Sequence, residues 1–388
     1  MTRDYDVIVL GVGGFGAGAL YWLSKRPGTR VLGLEQFEIG HVRGGSQDHS
    51  RIIRLSYHTP GYVELAKEAY AAWRTVEREL GQPLILRTGG IDIGFEGCAI
   101  PLDDYEASMQ AAGVPYERID AGEIVRRWPA FRFDDPVYGL FQPESGLVMA
   151  ARGSTAHLEL ARRHGAHVID RCSIESVTSS GDEVAVVTSR GEFRCARLVV
   201  TAGAWSNRTL SQLGVTLPLT VTQEQVTYFT PLEPDFFVPE RFPIWIWFDE
   251  PSFYGFPTFG EAGPKVGQDV GGREVTAETR TFEPDPEALA RVTTFLSRHM
   301  PKALGPIIQT KTCLYTLTPD RDFVIDHVPG HPNVVVAIGA GHGFKFASVI
   351  GRILSELALD QSTPADLEPF RIRRSALLDA SAERRFLI

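Results

Sequence analysis

The sequence lacks the features that would place it in a membrane, on a nucleic acid or in a disulfide-bonded scaffold. Its longest apolar stretches fall far below the roughly 18 residues needed to cross a bilayer, so a membrane-spanning chain is not expected. Basic residues number 39 against 48 acidic ones, a net charge of -9. No dense basic run is present to follow a phosphate backbone, and nucleic acid is not an expected partner. Cysteine is scarce: Cys98, Cys172, Cys195 and Cys313 form no C-x-x-C pair and no His/Cys cluster. Neither a disulfide framework nor a metal site is therefore indicated. The polar opening Met1-Thr-Arg-Asp-Tyr-Asp lacks the regions of a signal peptide, and the closing Arg385-Phe-Leu-Ile388 is not a Ser-Lys-Leu address. Together these point to the cytoplasm. Internal repeats of roughly 20 to 50 residues are absent, as are low-complexity linkers, so domain boundaries must come from the order of elements.

What remains is the composition of a folded protein. The chain has 388 residues, 43% hydrophobic and 22% charged, which suits a globular fold throughout. That length exceeds one ordinary core and predicts two intertwined domains.

The most informative segment is the first. Tyr5 to Leu10 is a short β-branched apolar run of the kind found in buried parallel strands. Gly11-Val-Gly13-Gly-Phe-Gly16 follows, matching G-x-G-x-x-G, and small and apolar residues continue at helical spacing to Lys25. Gly11 permits the tight exit from the strand, Gly13 lets backbone approach a pyrophosphate, and Gly16 allows close packing of helix on strand. The helix N-terminus offers unpaired N–H donors to phosphates. A second strand, Arg30 to Glu35, ends in an acid about 24 residues past Gly11, placed to accept ribose hydroxyls.

A similar unit closes the chain. Asn333 to Ile338 reads as a buried strand, followed by the turn Gly339-Ala-Gly341-His-Gly343 and a helix from Phe344 to about Leu357. A nicotinamide dehydrogenase needs one nucleotide unit, whereas an FAD fold wraps both ends of the chain around one long cofactor, so FAD is favoured. A helix starting near Phe344 would aim its positive end at the flavin pyrimidine ring. Between these ends, Gly165 to Val200 reads as a small β-meander returning to the parallel sheet. Val221 to Lys265 is aromatic and alternating, which suits an antiparallel sheet, and a helix is predicted over Asp285 to His299. The fold class is α/β: a glutathione-reductase-like, Rossmann-type FAD domain interleaved with an α+β substrate domain on an antiparallel sheet. The expected division assigns 1–88, 146–218 and 312–388 to FAD, and 89–145 and 219–311 to substrate.

Several stretches carry a more specific resemblance. The N-terminal fingerprint, Ser50-Arg51-Ile-Ile-Arg54, Thr201-Ala202-Gly203-Ala-Trp205, Tyr254-Gly-Phe-Pro257, Gly263-Pro-Lys265-Val-Gly267 and Lys311-Thr-Cys313-Leu-Tyr315 belong to it. So do Thr318-Pro-Asp320, Phe323-Val-Ile-Asp326 and Gly341-His-Gly343-Phe344-Lys345-Phe346. With these motifs, the chain resembles the monomeric sarcosine oxidase and N-methyltryptophan oxidase family over nearly its full length. The resemblance implies FAD attached through its 8α-methyl group to Cys313, and reoxidation by molecular oxygen to hydrogen peroxide. It assigns Arg54 and Lys345 to the substrate carboxylate, Lys265 to oxygen reduction, Arg51 to the flavin side, and Tyr254 and Tyr315 to the pocket. The implied partner is a small secondary amine with a carboxylate, and the implied state is a monomer.

From the residues alone, Cys313 reads first as an inert buried thiol, although Lys311 beside it would favour a thiolate, and it is the resemblance that reverses this order. Arg54 and Lys345 suit a carboxylate but also read as ordinary ion pairs. Gln47 and Asp269 stand where sarcosine oxidases commonly carry histidines, with His49 close to the first position. Trp245 and Trp247 share a strand face, where they either pack or widen the pocket. The alternative enzymes are oxidases of a cyclic imino acid or a glycated amino acid, and a flavin dehydrogenase using another acceptor; a noncatalytic flavin module is the alternative outside catalysis.

Overall fold

A computed structural model describes residues 4–379; the terminal motif Arg385–Ile388 and the opening Met1-Thr-Arg lie outside the described residues. The first sheet is built on the long strand Gly191–Val200. Its first half pairs antiparallel with Glu183–Thr188, which pairs in turn with Ile174–Ser180. Its second half runs parallel to both Tyr5–Leu10 and His331–Ile338. One strand therefore joins the meander to the parallel sheet, as the sequence predicts. Tyr5–Leu10 also pairs parallel with Val31–Leu34, and the strands preceding the two glycine turns flank Gly191–Val200, one on each side.

Small residues set the packing of the nucleotide unit. The helix Gly14–Ser24 is almost wholly buried, and a Cβ on Gly18 would lie 2.4 Å from the carbonyl oxygen of Ala347. That position lets the first helix press against the C-terminal helix Ala347–Asp360. The expected helix start at Phe344 is corrected here: Gly343–Phe346 forms a 3-10 turn, and α-helix begins at Ala347. The glycine-rich approach tightens the first turn before the wider helix can form.

The second sheet places Thr220–Phe229 between Lys265–Asp269 and the long strand Ile307–Leu317. Ser252–Phe256 and Ile244–Trp247 extend it antiparallel, and Gly90–Gly94 joins Ile244–Trp247 in parallel. The helix Pro286–His299, capped by Asp285, covers one face. Trp245 and Trp247 point to that face, stacking on Phe295 and His299. The pocket-lining alternative for this pair is thereby corrected: strand alternation turns Ile246 and Phe248 to the cavity instead.

A third sheet was not anticipated. Ser50–Ile53 pairs with Gly146–Met149, which also pairs with Ile85–Arg87. Arg51 lies in its strand Ser50–Ile53, and Arg54 follows directly after it. No helix among the described residues is long and apolar enough to cross a membrane.

Candidate active site

The ends of the parallel strands and the open face of the second sheet enclose a cavity of about 370 Å³. Ligand sites at the carboxyl ends of parallel strands are the rule in such folds. At one end lie Gly11, Gly13 and Glu35, with Ala202, Gly203 and Trp205 also in the lining and Ala202 directly against Gly11. At the other lie Arg51, Arg54, Tyr254 and Tyr315, and between them the turn carrying Gly341, Gly343, Phe344 and Lys345. Lys265, Cys313, Ser50 and Gly16 stand behind these walls. The structure thus gathers the two glycine turns with Arg51, Arg54 and Lys345 around one space and leaves Lys265 behind its wall.

The residues fit an FAD. Gly11 has φ +81°, and a Cβ there would lie 2.7 Å from the Thr201 carbonyl oxygen, while one on Gly16 would lie 1.9 Å from the Gly11 carbonyl oxygen. No side chain is tolerated where the strand turns into the helix. Glu35 is held by the backbone N–H groups of Val12 (2.9 Å) and Phe37 (3.1 Å), which fix its carboxylate at the end of its strand.

The far end holds a set of buried charges. Arg54 donates through Nη1 to both Asp92 oxygens, at 3.2 and 3.3 Å, and its guanidinium lies over the rings of Tyr57 and Phe248. Ser56 donates to the same carboxylate. Asp269 accepts from Nη1 and Nη2 of Arg321, each at 3.4 Å. Lys345 differs: no carboxylate among the described residues lies within ion-pair distance of its Nζ. Burial, and then the charge of Arg54, pulls its ammonium down to about 7.

Tyr254 and Tyr315 are seated by glycines, since a Cβ on Gly267 would lie 2.9 Å from the Tyr254 ring and one on Gly341 2.5 Å from the Tyr315 ring. Burial raises the pKa of both phenols, so their hydroxyls act as neutral hydrogen-bonding groups.

Behind the opposite wall, the Lys265 Nζ donates to Asp48 Oδ2 (3.0 Å) and the Ser50 carbonyl (2.7 Å). It stands 4.0 Å from the centre of the Phe256 ring, itself a wall residue. Burial lowers the Lys265 ammonium to about 8 against the opposing charge of Asp48. Cys313 is buried, and desolvation pushes its thiol up to about 11. The sequence reading placed Lys311 as the cation favouring a thiolate. In the structure Arg51 and Arg280 exert that pull, because Lys311 is engaged by Asp48 and Glu261. Gln47 lines the cavity and donates to the Thr312 carbonyl at 3.4 Å.

Asp48, Asp92 and Arg321 were not singled out from the sequence. Each pairs with a residue tens to hundreds of positions away; only Asp92 carried a local sign, an isolated charge in the apolar strand Gly90-Ile-Asp92-Ile-Gly94, whereas Asp48 and Arg321 sit in polar, charged loops.

A family model described as FAD dependent oxidoreductase (DAO) matches residues 6–357. Among curated relatives, monomeric sarcosine oxidase of Streptomyces avermitilis is 36% identical over 98% of this chain and 100% of its own. N-methyl-L-tryptophan oxidase of Salmonella arizonae is 31% identical over 95% and 99%. Among solved structures, NikD, an unusual amino acid oxidase essential for nikkomycin biosynthesis, superposes with a TM-score of 0.85 at 27% identity, covering 95% of this chain and 98% of its own. The glycine turns, the buried cations and these full-length similarities agree, and the chain belongs to the FAD dependent oxidoreductase family, in the group of the monomeric sarcosine oxidases.

Proposed function

We propose that the protein oxidises a small secondary amine bearing a carboxylate, of the N-methyl amino acid type, with dioxygen as electron acceptor. The products are an imine, then the demethylated amino acid, formaldehyde and hydrogen peroxide. One observation carries this reading: Lys345 is a buried cation with no carboxylate partner, beside an Arg54 whose charge Asp92 already balances. A cavity built this way is completed by an anion from outside. The names of the relatives, sarcosine oxidase and N-methyl-L-tryptophan oxidase, supply the matching substrate class.

FAD, when bound, accepts the electron pair from the amine and passes it to oxygen. Gly11, Gly13, Gly16 and Glu35 hold its nucleotide end; Ser50, Arg51, Ala202, Gly203, Trp205 and the Gly341–Lys345 turn flank the remainder. Lys345 and Arg54 orient the substrate carboxylate. Tyr254 and Tyr315, kept neutral by burial, shape the space around the amine. Lys265 supplies a fixed positive charge where oxygen becomes negative.

Covalent attachment at Cys313 is part of the proposal, supported by the Lys311–Tyr315 motif and by the pull of Arg51 on the thiolate. Acid-precipitated protein is expected to stay yellow, and Cys313→Ser to release its flavin; free flavin from the unaltered protein rejects the linkage. The interleaved FAD and substrate domains set out from the sequence, and a monomer in the cytoplasm, belong to the same reading. The four cysteines, none of them in a disulfide, suit that compartment.

Asp269 on the cavity wall, where sarcosine oxidases commonly carry histidine, favours a second reading: a cyclic imino acid or a glycated amino acid in the same carboxylate clamp. Peroxide formation with sarcosine, N-methyltryptophan, pipecolate and a fructosyl amino acid, with no added acceptor, separates the two. Turnover only with an artificial acceptor rejects the oxidase and leaves a dehydrogenase.

A further inference from the structure

Lys265 is the innermost member of a continuous series of ionisable side chains that reaches solvent. Its Nζ donates to Asp48 Oδ2 at 3.0 Å, and Lys311 Nζ approaches Asp48 Oδ1 at 3.2 Å. Lys311 also donates to Glu261 Oε1 at 3.0 Å, and the same oxygen meets His49 Nε2 at 3.0 Å. Side-chain exposure rises along this series from 2% at Lys265 and 3% at Asp48, through 19% at Lys311 and 25% at Glu261, to 37% at His49. A cluster serving only to neutralise Lys265 would end at Asp48. This one continues outward with every step at hydrogen-bond distance.

The backbone is shaped to hold it. Asp48 has φ +89°, a left-handed conformation uncommon for a residue with a side chain. Its carbonyl is fixed by the Ala151 N–H, and its carboxylate turns one oxygen to each lysine. Gly260 lies so close under the outer imidazole that a Cβ there would be 2.2 Å from His49 Cγ. The remaining groups facing the inner pair are Arg51, 3.7 Å from Asp48, the Tyr228 hydroxyl, which donates to Asp48 Oδ1 at 2.8 Å, and the thiol of Cys313.

We propose that Asp48, Lys311, Glu261 and His49 form a proton-conducting path that refills Lys265 from solvent during oxygen turnover. The inference rests on the reading that Lys265 serves oxygen reduction. Dioxygen leaves as hydrogen peroxide after gaining two electrons and two protons. Both electrons and one proton come from the reduced flavin, and the second proton comes from the Lys265 ammonium. Lys311 gives a proton to Asp48 Oδ1, the transiently protonated carboxyl turns and gives that same proton to the Lys265 amine, and Glu261 with His49 returns one to Lys311 from water. Burial opposes ionisation of Asp48, yet Lys265 and Arg51 hold its carboxyl well below the ordinary range. It therefore hands a proton on rather than storing it. The Lys265 ammonium, lowered to about 8, is poised to give up a proton and regain it near neutral pH.

The chain contains only Lys25, Lys67, Lys265, Lys302, Lys311 and Lys345, so Nζ resonances of lysine-labelled holoenzyme are assignable by single substitution. The readout without turnover is the exchange of the Lys265 Nζ hydrogens after transfer to deuterated water. Glu261→Gln is expected to slow this exchange about tenfold or more, and Lys311→Met likewise. Repeated turnover at saturating oxygen falls on the order of tenfold with an enlarged solvent isotope effect, short of the roughly hundredfold loss of a direct proton donor. Glu261→Asp restores both. Glu261 is partly exposed, so its variants test the path even if Asp48→Asn fails to fold. Unchanged exchange in Glu261→Gln overturns the path, as does slowed exchange with unaltered turnover. Lys265→Met tests the underlying reading separately: a normal first reoxidation of reduced flavin removes Lys265 from oxygen chemistry, whatever the exchange measurement shows.

Discussion

The molecule contains two buried clusters of cations and carboxylates, one at each side of the cavity, and they are balanced differently. Around Asp48, one carboxylate serves Lys265 and Lys311, with Arg51 nearby. Around Asp92, the carboxylate serves Arg54 alone, while Lys345 close by has none. A buried ion is tolerated when paired and costly when not. In the first cluster both lysines have a carboxylate within ion-pair distance, with Glu261 as a second acid on Lys311, and the series leads to solvent; in the second Lys345 has none and lines the cavity. The contrast separates a buried lysine with a carboxylate partner from one without.

The sharpest way to break this comparison is to remove the anion of the second cluster. Asp92→Ala is expected to destabilise the protein by about 3 to 5 kcal/mol, because Arg54 is left as a buried charge. A carboxylate inhibitor should recover part of that loss in a thermal melt. Equal melting points for variant and parent would mean that Asp92 does not compensate Arg54.

At the first cluster the expected effect is kinetic. Lys265→Met should slow reoxidation of reduced flavin by roughly 10²- to 10³-fold, the scale for losing one fixed group that stabilises developing negative charge. Anaerobic reduction by substrate should change little. Stopped-flow measurement of the two half-reactions decides it, and a loss confined to reduction would move Lys265 to substrate handling.

Lys345→Met should weaken a carboxylate inhibitor by about 1.5 to 3 kcal/mol, the contribution of a charged hydrogen bond, and should spare an amine lacking the carboxylate. A smaller effect sharpens the same point through pH. Lys345 binds an anion as the ammonium, and its pKa of about 7 in the free protein lies below the ordinary lysine value. A bound carboxylate favours the charged form, so binding takes up a proton above that value. The dissociation constant should be level below pH 7 and rise by up to about tenfold per unit above it. In Lys345→Met the slope should vanish; a slope that survives belongs to another group.

Legibility in the sequence followed the range of the interactions. The strand, glycine turn, helix and acid from Tyr5 to Glu35 were readable because their physics is local: a turn that excludes Cβ atoms and a helix that must pack closely. The strand at His331–Ile338 and the aromatic alternation at Ile244–Trp247 were readable for the same reason. The face on which Trp245 and Trp247 lie was not, because alternation defines two faces without saying which one a distant helix covers. Helix Pro286–His299 decided that.

The site divided in the same way. Short motifs single out Arg54, Lys265 and Lys345, and their roles stand as proposals, as does that of Cys313. Their charge state was beyond reach, since Arg54 meets Asp92 across 38 positions and Lys265 meets Asp48 across 217. The sequence by itself determined the nucleotide-binding unit, the FAD-dependent class and the identity of the cations, because each is written in contiguous residues. Only the tertiary structure decided which cation meets a buried carboxylate, which has none within ion-pair distance and which stands at the inner end of a series of ionisable side chains. Those properties depend on burial and on partners that the chain brings together only by folding.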